Sequence, residues 1–427
     1  MKRIRKITAA CLLCCHIVAA LLLASCADFS DATHEIAARI QLQLPDELAG
    51  TSAMAGRTVT LTIGTQHLQA ETDAQGVATF SGLIPDIYDI SCSWELTAAD
   101  YQTLTGKELD GGTSCTVSGS ANTCLLLSDG QTVSLPTLLS INQDLLISKI
   151  YYAGSTYEGT NKAYTGGQYM ELYNQSASPI DVSGIYIGLT ETDSEQAYTL
   201  ENLHEAYADT MVVLKQIFRI PVEQPVIIQP GGALLITNSA IDHSSVSHFE
   251  YDQSDADLEA KDSQARKQNN PATPELPIVF CSYSGMTYIN FMNNGLMGVV
   301  LFRTDEDVVN DWKPVYAYGK TTGNLMYKLL PKRYIIDGVE CLANKTNTGP
   351  DVSAKRLYSD IDAGYTFINS VNGRTGEVVY RKTARIAEDG RKILADTNNS
   401  SADFQVSTTI KPREYDAAEA ASGLNDN

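Results

Sequence analysis

Apolar and polar residues alternate in several short runs between the N-terminal segment and the middle of the chain. Residues 59–63 and the second half of 36–44 carry apolar side chains at every second position, as half-buried β-strands do. Residues 86–90 repeat the alternation after a turn that contains Pro85. Short strands separated by turn residues are typical of a β-sandwich, and we expect residues 34–140 to form one.

A second set of strands begins near residue 145. Residues 145–152 form an apolar run, and residues 168–175 and 180–187 follow it after a loop rich in Gly, Tyr and Thr. Runs of this length bounded by turn residues favour strands. We therefore expect an all-β fold with few short helices, in which residues 141–413 form a second, larger β-sandwich.

Residues 191–222 interrupt the strand pattern. Apolar side chains recur here at helical spacing, and Asn202 with Glu205 has the pattern of an N-cap. The later part of the stretch is β-branched and aromatic, which favours a strand. We predict a short helix followed by a strand.

Residues 244–277 form a second interruption, with a charge-rich middle and three prolines near the end. Because such a segment has few apolar residues to bury, we expect an exposed or partly disordered insertion. Residues 414–427 are acidic and rich in small side chains. We expect them to form a flexible tail.

Three short motifs lie in order within the first predicted sandwich. They are a G-x-x-V-x-L strand, a T-D-x-x-G-x-x-x-F turn and strand, and a G-L-x-P-x-x-Y turn and strand. The matching residues are Gly56, Val59, Leu61, Thr72, Asp73, Gly76, Phe80, Gly82, Leu83, Pro85 and Tyr88. On these residues the domain resembles the prealbumin-like, or carboxypeptidase-regulatory-like, β-sandwich. Members of that family serve as spacers, stalks and adhesin modules, so the resemblance implies no catalytic residues.

Further landmarks span most of the second predicted sandwich. An E-L-Y-N strand and a D-x-S-G turn are followed by turn-and-strand patterns at 229–236 and 293–302 and by a closing segment at 396–404. The first two motifs consist of Glu171, Leu172, Tyr173, Asn174, Asp181, Ser183 and Gly184. In this order the landmarks resemble the lamin-tail domain, which implies an immunoglobulin-like β-sandwich with insertions.

The N-terminus has the pattern of an exported lipoprotein. A basic start is followed by an apolar run and by small residues just before Cys26. This pattern resembles the bacterial lipobox, which implies that residues 1–25 are a signal peptide, that Cys26 carries the lipid and that residues 26–33 are a tether. A transmembrane anchor is a poor alternative, because a span needs about 20 apolar residues and His16 interrupts the run.

The lipobox and the two sandwiches together resemble an uncharacterised family of Gram-negative outer-membrane lipoproteins. The resemblance implies a chain anchored in the outer membrane by lipid, on its periplasmic or cell-surface face. The net charge of −20 at pH 7 argues against a nucleic-acid partner, because phosphate backbones repel so acidic a chain.

Five cysteines follow the predicted lipidation site. Cys115 and Cys124 flank eight residues that could form a hairpin turn, which would bring the thiols within disulfide distance. Two half-buried thiols on neighbouring strands are the alternative, and the sequence leaves both open. We expect Cys92, Cys281 and Cys341 to be buried small hydrophobic residues.

The common catalytic motifs H-E-x-x-H, G-x-S-x-G, G-x-x-x-x-G-K and C-x-x-C-H are missing from the sequence. His243 and His248, with Asp242, Glu250 and Asp252, have a metal-like composition, but their spacing fits neither a helix face nor a strand face. We expect them to lie in a solvated loop. The sequence therefore predicts no catalytic residue, no metal and no cofactor.

Other acidic groups have structural explanations. One run consists of Asp252, Asp255, Asp257 and Glu259. It lacks the turn glycine and the terminal glutamate of an EF-hand loop, so we expect it to be solvated. Residues 396–403 could hold calcium, but Asp and Asn side chains more often cap backbone N–H groups in tight turns. Glu171 is a lone carboxylate on a predicted strand, and we expect it to be structural.

Tyrosine is frequent, with 22 residues against 9 Phe and 2 Trp. Five of them lie in or beside one loop at residues 153–167: Tyr151, Tyr152, Tyr157, Tyr164 and Tyr169. Tyrosine suits a surface that binds protein or glycan, although it also covers the wet faces of sheets. Binding is expected on loops, and this loop is favoured over residues 244–277 because it has more aromatic anchors.

These observations favour a non-enzymatic outer-membrane lipoprotein whose first sandwich is a stalk and whose second presents a binding surface. By analogy of location it could be an accessory subunit of an outer-membrane transporter, or contact another envelope protein. A surface adhesin that recognises glycan or protein is the alternative. A hydrolase is the third class considered.

Overall fold

Strands dominate the structure. The computed structural model describes residues 34–63, 66–108, 114–141, 143–192, 198–345 and 349–417. The α-helices in these ranges are α1 (Ala98–Thr105), α2 (Leu200–Tyr207) and α3 (Ser400–Asp403). The predicted all-β fold class with few short helices is confirmed.

Several predictions fall on other parts of the chain. The signal peptide, the lipidation site Cys26 and the tether of residues 26–33 lie outside the described residues, as does the tail from residue 418 onward. Within the described ranges, no helix is long and apolar enough to cross a membrane.

Two compact units can be distinguished among the described residues. The first runs to Ser93 and includes Gly119–Thr137, and the second comprises Trp94–Ser118 and the chain from Leu138 onward. The boundary predicted between residues 140 and 141 stays a prediction. The strands up to residue 141 are β1 (Ile36–Gln43), β2 (Thr58–Ile63), β3 (Gln66–Glu71), β4 (Val77–Leu83), β5 (Asp86–Thr97), β6 (Ser114–Leu126), β7 (Gln131–Pro136) and β8 (Leu138–Ile141).

In the first unit, β1 lies between β4 and β7. It is antiparallel to β4, with Ile40 opposite Ala78, and parallel to β7, with Ile40 opposite Val133. β2 pairs antiparallel with β3 and with the first part of β5. Apolar residues at alternate positions of these strands, such as Ile40 and Leu61, are fully buried, as a period of two predicts.

The remaining strands belong to the second unit. They are β9 (Leu145–Tyr151), β10 (Ser155–Thr156), β11 (Ala163–Tyr164), β12 (Tyr169–Asn174), β13 (Ile180–Asp181), β14 (Tyr186–Thr190), β15 (Met211–Arg219), β16 (Ile227–Ile228), β17 (Ala233–Thr237), β18 (Leu258–Glu259), β19 (Ile278–Cys281), β20 (Met297–Phe302), β21 (Val315–Tyr316), β22 (Met326–Pro331), β23 (Ile335–Cys341), β24 (Asn344–Lys345), β25 (Gly349–Pro350), β26 (Val378–Arg381), β27 (Thr383–Ile386), β28 (Lys392–Leu394) and β29 (Phe404–Ser407).

Two large sheets of the second unit share one core. The first sheet has the order β18-β17-β12-β9-β26-β29, and the second has the order β21-β22-β15-β14-β20-β23, with β19 also paired to β15. One apolar cluster contains Ile147 and Leu172 of the first sheet together with Ile187 and Leu301 of the second. Sheets that bury their inner faces against each other form a β-sandwich.

Residues 191–222 contain the predicted short helix followed by a strand, namely α2 and β15. Leu203 of α2 joins an apolar cluster that also contains Tyr186 of the second sheet. The N-cap is Thr199, whose hydroxyl accepts a hydrogen bond from the Asn202 N–H at 3.3 Å. The predicted cap at Asn202 is therefore wrong by three residues.

The exposed or partly disordered insertion predicted at 244–277 is wrong for the part around β18, whereas other residues of the segment, such as 263–266, are exposed. β18 of this segment pairs parallel with β17, and Glu259 and Asp262 are buried. Glu259 Oε1 accepts hydrogen bonds from the backbone N–H groups of Ala240, at 2.7 Å, and Asn270, at 3.0 Å. Polar side chains can be buried when each finds a partner, so polarity alone did not decide exposure.

The flexible tail is also wrong for its described residues. Tyr415 is 8 % exposed, and its hydroxyl donates to Glu171 Oε2 at 2.7 Å and lies 2.6 Å from Ser148 Oγ. Asp416 accepts a hydrogen bond from the Tyr380 hydroxyl. A buried aromatic ring therefore anchors a segment whose composition alone indicated disorder.

Candidate functional site

Three of the five tyrosines predicted to form an interaction surface lie in the core. Tyr151, Tyr152 and Tyr169 are at most 3 % exposed. They lie on or next to the inner strands β9 and β12, and the ring centroids of Tyr151 and Tyr169 are 5.4 Å apart. Their predicted role in binding is wrong, because strands inside a covered sheet are buried on both faces.

The other two tyrosines lie on a hairpin formed by β10 and β11. The ring of Tyr157 is 36 % exposed and meets the half-buried ring of Tyr164 edge to face, with 5.2 Å between centroids. The Lys162 ammonium group lies 4.9 Å from the Tyr157 centroid. Because these contacts orient the ring without covering it, Tyr157 is an accessible and preorganised anchor.

His243 holds Tyr164 in place. The Tyr164 hydroxyl lies 2.6 Å from His243 Nδ1, and His243 Nε2 lies 2.7 Å from the carbonyl oxygen of Ser239. Since a carbonyl oxygen only accepts hydrogen bonds, Nε2 carries the proton and Nδ1 accepts from the tyrosine. Burial lowers the pKa of His243 and raises the pKa of Tyr164, so both groups are neutral near pH 7.

The group of metal-like composition is dispersed. Both ring nitrogens of His243 are used within the protein, whereas His248 Nδ1 lies 3.0 Å from the exposed carboxylate of Glu158. Asp242 and Asp252 each cap a backbone N–H two residues further on. In the ranges that the structure covers, no group of three or more His, Cys, Asp or Glu side chains is placed to hold a metal ion.

Two basic residues of the 244–277 segment lie beside the hairpin. Lys267 Nζ donates to the carbonyl and hydroxyl oxygens of Thr165, at 2.8 and 2.6 Å, and an ammonium group has three N–H donors. Burial lowers the pKa of Lys267 to about 8. Arg266 is oriented by Asp262, with 2.9 Å between Nη2 and Oδ1.

These elements form a pocket of about 350 Å³, which we call the tyrosine pocket. Its lining includes Tyr157, Tyr164, Ser239, Arg266, Lys267 and Gln268. The pocket thus unites the tyrosine-rich loop with the polar segment, which the sequence presented as alternative sites. A volume of this size is within the range of small-molecule sites, and its aromatic face and N–H donors suit a ligand with an anionic group.

Glu250 supports the hairpin from inside the protein. Its Oε1 accepts hydrogen bonds from the hydroxyl groups of Tyr151, at 2.9 Å, and Ser155, at 2.5 Å. Its Oε2 is buried without a hydrogen-bond partner. Burial raises the pKa of Glu250, and a Cβ at Gly167 would lie only 1.9 Å from Oε2. The sequence pointed to Glu250 only as a member of the metal-like group.

The hairpin predicted between Cys115 and Cys124 is wrong. Both residues lie on the same strand, β6, and all five described cysteines are free. A strand advances about 3.3 Å per residue, so nine steps carry two thiols far beyond bonding distance. Cys92 and Cys341 are buried as expected, whereas Cys281 is only half-buried. Burial raises the pKa of Cys92 to about 12, which makes a reactive thiolate unfavourable.

The turn at 396–403 caps its own backbone. Asp403 Oδ2 accepts hydrogen bonds from the N–H groups of Thr397, at 2.8 Å, and Asn399, at 3.3 Å. This is the capping arrangement that the sequence favoured over a calcium site. The acidic run at 252–259, which the sequence predicted to be solvated, is only partly so. Arg413 forms ion pairs with two of its aspartates.

A buried ionic network surrounds Arg381, which sequence reasoning missed. The guanidinium group is 2 % exposed and lies 3.0 Å from Asp337, 3.2 Å from Asp396 and 3.4 Å from Asp403. The only signal in the sequence is a charged residue at the end of an otherwise apolar run at 378–381. The expectation that Glu171 is structural agrees with its buried ion pair to Lys149, at 3.4 Å.

The fold and the pocket define an all-β protein with a sandwich that carries a surface pocket. A family model described as "Protein of unknown function (DUF4876)" matches residues 229–411. The crystal structure of a DUF4876 family protein from Bacteroides thetaiotaomicron VPI-5482 is 22 % identical and has a TM-score of 0.54; the match covers 87 % of this chain and 94 % of that one. This similarity shows a shared fold.

A second solved structure, of a DUF3823 family protein from Parabacteroides merdae ATCC 43184, is 10 % identical over 36 % of this chain and 66 % of that one. Its TM-score of 0.15 supports no argument. No curated protein matches this chain. The predicted resemblance to an uncharacterised family is therefore confirmed at the level of the family match, whereas the lipid anchor and the names of the two domains stay predictions.

Proposed function

We propose that the protein is a non-enzymatic, lipid-anchored outer-membrane protein that binds an acidic oligosaccharide in the tyrosine pocket. The lipobox at Cys26 supports the anchor. The motifs shared with prealbumin-like sandwiches support a stalk role for the first domain, and those shared with lamin-tail domains support a presenting role for the second. The residues that line the tyrosine pocket support the proposed class of ligand.

The composition of the pocket carries this proposal. The chain has a net charge of −20, yet Arg266 and Lys267 lie together in the pocket lining with the exposed ring of Tyr157. Lys267 and the N–H groups of Arg266 that Asp262 and the Gly285 carbonyl do not engage can donate to a carboxylate or sulfate. The tyrosine ring can pack against a flat and weakly polar body. An acidic saccharide combines both features.

The polar groups behind the pocket support binding over catalysis. A general acid or base must exchange a proton with the substrate. Both nitrogens of His243 are engaged within the protein, and Glu250 is enclosed next to the backbone of Gly167. These groups orient the hairpin and the aromatic rings, which is what a preorganised binding site requires.

The cellular role that we infer is an accessory binding subunit of an outer-membrane transporter. It combines the proposed location with the proposed ligand. A surface adhesin would use the same pocket, since glycans are its usual targets. Affinity capture from native outer membranes distinguishes these roles, because only the accessory subunit co-purifies with a transporter.

Calorimetric titration tests the ligand class. The soluble chain from residue 27 onward is titrated with an oligogalacturonate and with a neutral oligosaccharide of equal length, and we expect only the acidic one to bind. Tyr157→Ala and Lys267→Met should each weaken binding about tenfold or more. Tyr316→Ala is the matched control, because Tyr316 is also 36 % exposed but lies on β21, outside the pocket lining.

Tyr164 is left intact in this design because its hydroxyl bonds to His243, so its loss would change stability as well as affinity. Equal affinity for the acidic and neutral saccharides would contradict the proposal. Unchanged binding by Lys267→Met, or equal weakening by Tyr316→Ala, would also contradict it.

A further inference from the structure

We propose that four exposed apolar residues of the first unit form a surface that lies against the lipid bilayer to which the chain is anchored. They are Ile84, Ile87, Leu125 and Leu127, and we call them the isoleucine–leucine patch. Each is between 48 % and 55 % exposed. Single exposed apolar residues are common, but adjacent ones mark an interaction surface. The inference rests on the lipid anchor of the proposed function.

The relative direction of β5 and β6 brings the patch together. The Thr123 N–H donates to Asp89 Oδ1 at 2.8 Å, and the Cys92 thiol contacts the backbone of Gly119. As the residue number increases from 89 to 92 along β5, the number of the neighbouring residue on β6 decreases from 123 to 119. The two neighbouring strands are antiparallel.

Continued in the opposite direction, this antiparallel course brings the segments that carry the patch side by side. Two steps back from Asp89 is Ile87, and two steps on from Thr123 is Leu125. Two further steps lead to Pro85, which follows Ile84 in the turn before β5, and to Leu127, which follows the end of β6. Since alternate residues of a strand share one face, Leu125 and Leu127 lie on the side opposite the buried Leu126.

Hydrogen bonds fix the backbone that displays the patch. Gln131 Oε1 accepts from the Leu127 N–H at 3.1 Å, and Gln131 Nε2 donates to the Leu125 carbonyl at 2.7 Å. The Tyr88 hydroxyl donates to the Ile84 carbonyl at 2.8 Å. The backbone that carries the patch is thus ordered before any contact, so covering the patch costs little backbone conformational entropy.

The patch lies where the N-terminal strand enters the first unit. Ile36 at the start of β1 pairs with Leu83, and the Ala37 N–H donates to Asp129 Oδ1 at 2.8 Å. β1 therefore begins between the two segments that carry the patch. Seven residues separate Cys26 from His34, the first described residue, and an extended chain of this length spans about 27 Å at most.

A lipid on Cys26 would therefore keep the patch within a short distance of the bilayer. Apolar side chains gain free energy when they enter the membrane interface. The neighbouring Glu35, Asp86 and Asp129 are exposed and acidic, so contact with anionic head groups is unfavourable. The occupant that fits is a bilayer surface of zwitterionic lipid.

Hydrogen–deuterium exchange tests this contact without depending on lipidation. The chain from residue 27 onward carries an N-terminal polyhistidine tag and is held on phosphatidylcholine vesicles by a nickel-chelating lipid. On the vesicles, we expect the backbone amides within 84–87 and 125–128 to exchange at about one third of their rate in solution, or more slowly still. Ile87→Ser with Leu127→Ser should abolish this protection, whereas Val309→Ser should not, because Val309 is an exposed apolar residue of the other unit.

Three results would overturn the inference. They are equal exchange in solution and on the vesicles, protection that persists in the double variant, and stronger protection on vesicles with anionic phosphatidylglycerol. Because the tag replaces the lipid, each result is independent of whether Cys26 is lipidated. Equal unfolding midpoints of the wild-type chain and the double variant confirm that folding is unchanged.

Discussion

Glu250 gives the site a pH dependence that can be measured on one residue. Burial raises its pKa above the ordinary value of 4.5, so its contribution to stability is complete below that value and is lost as the pH rises through the raised pKa. Glu250→Gln does not titrate. Relative to wild type, the unfolding free energy of this variant should therefore increase as the pH rises from about 5 to about 8.

Urea denaturation at the two pH values measures this difference. Glu388→Gln, which changes an exposed carboxyl group, is the matched control. A constant difference between Glu250→Gln and wild type would mean that Glu250 is not held in a poorly solvated site.

Arg381 is the second residue whose loss has a defined pH signature. Arg381→Met leaves buried carboxyl groups without a cation, which costs about 3–5 kcal/mol near neutral pH. Burial already raises the pKa of Asp403 to about 6 and that of Asp337 above its ordinary range. Removing the guanidinium group raises these values further, so protonation at lower pH should relieve part of the loss.

Chemical denaturation of Arg381→Met at about pH 5 and about pH 8 checks this expectation. The loss relative to wild type should be smaller at the lower pH. Arg385→Met, at an exposed position on β27, controls for the change of side chain. A loss that grows with acidity would show that carboxylate repulsion is not its cause.

The C-terminal segment acts as a structural element although it is neither helix nor strand. Tyr415 packs edge to face on Tyr173 with 5.0 Å between ring centroids, and its hydroxyl bonds to Glu171. Tyr415→Phe keeps the ring and removes only the hydroxyl. It should lower the unfolding free energy by about 1–3 kcal/mol, because buried acceptors lose a donor.

Thermal or urea unfolding of Tyr415→Phe provides the measurement. Tyr316→Phe on β21 removes the hydroxyl of an exposed ring and should have little effect. Equal stability of Tyr415→Phe and wild type would support the flexible tail that the sequence suggested.

The proposed anchor is a property of the whole molecule, because it would decide where every other surface operates. Cys26→Ala should block lipid attachment and leave either unprocessed precursor or soluble protein. Fractionation of cells followed by immunodetection measures this. A variant that still partitions with the outer membrane at the wild-type level would contradict the lipobox.

The sequence by itself determined the elements whose signal is local. A period of two along β1 and β2 predicted strands with buried alternate residues, and the change from helical spacing to β-branched residues predicted α2 followed by β15. These patterns are readable because one face of each element must be apolar. The all-β class follows from the same local information.

Only the tertiary structure decided the site. Residues far apart in the chain supply the partners that bury a polar group, as Asn270 does for Glu259 and Asp337 does for Arg381. The composition of residues 244–277 indicated an exposed segment, because composition does not show which distant residues will bond to its polar groups. Whether a tyrosine lies in the core or in the pocket likewise depends on which strands flank it. Those neighbours are determined by the tertiary structure.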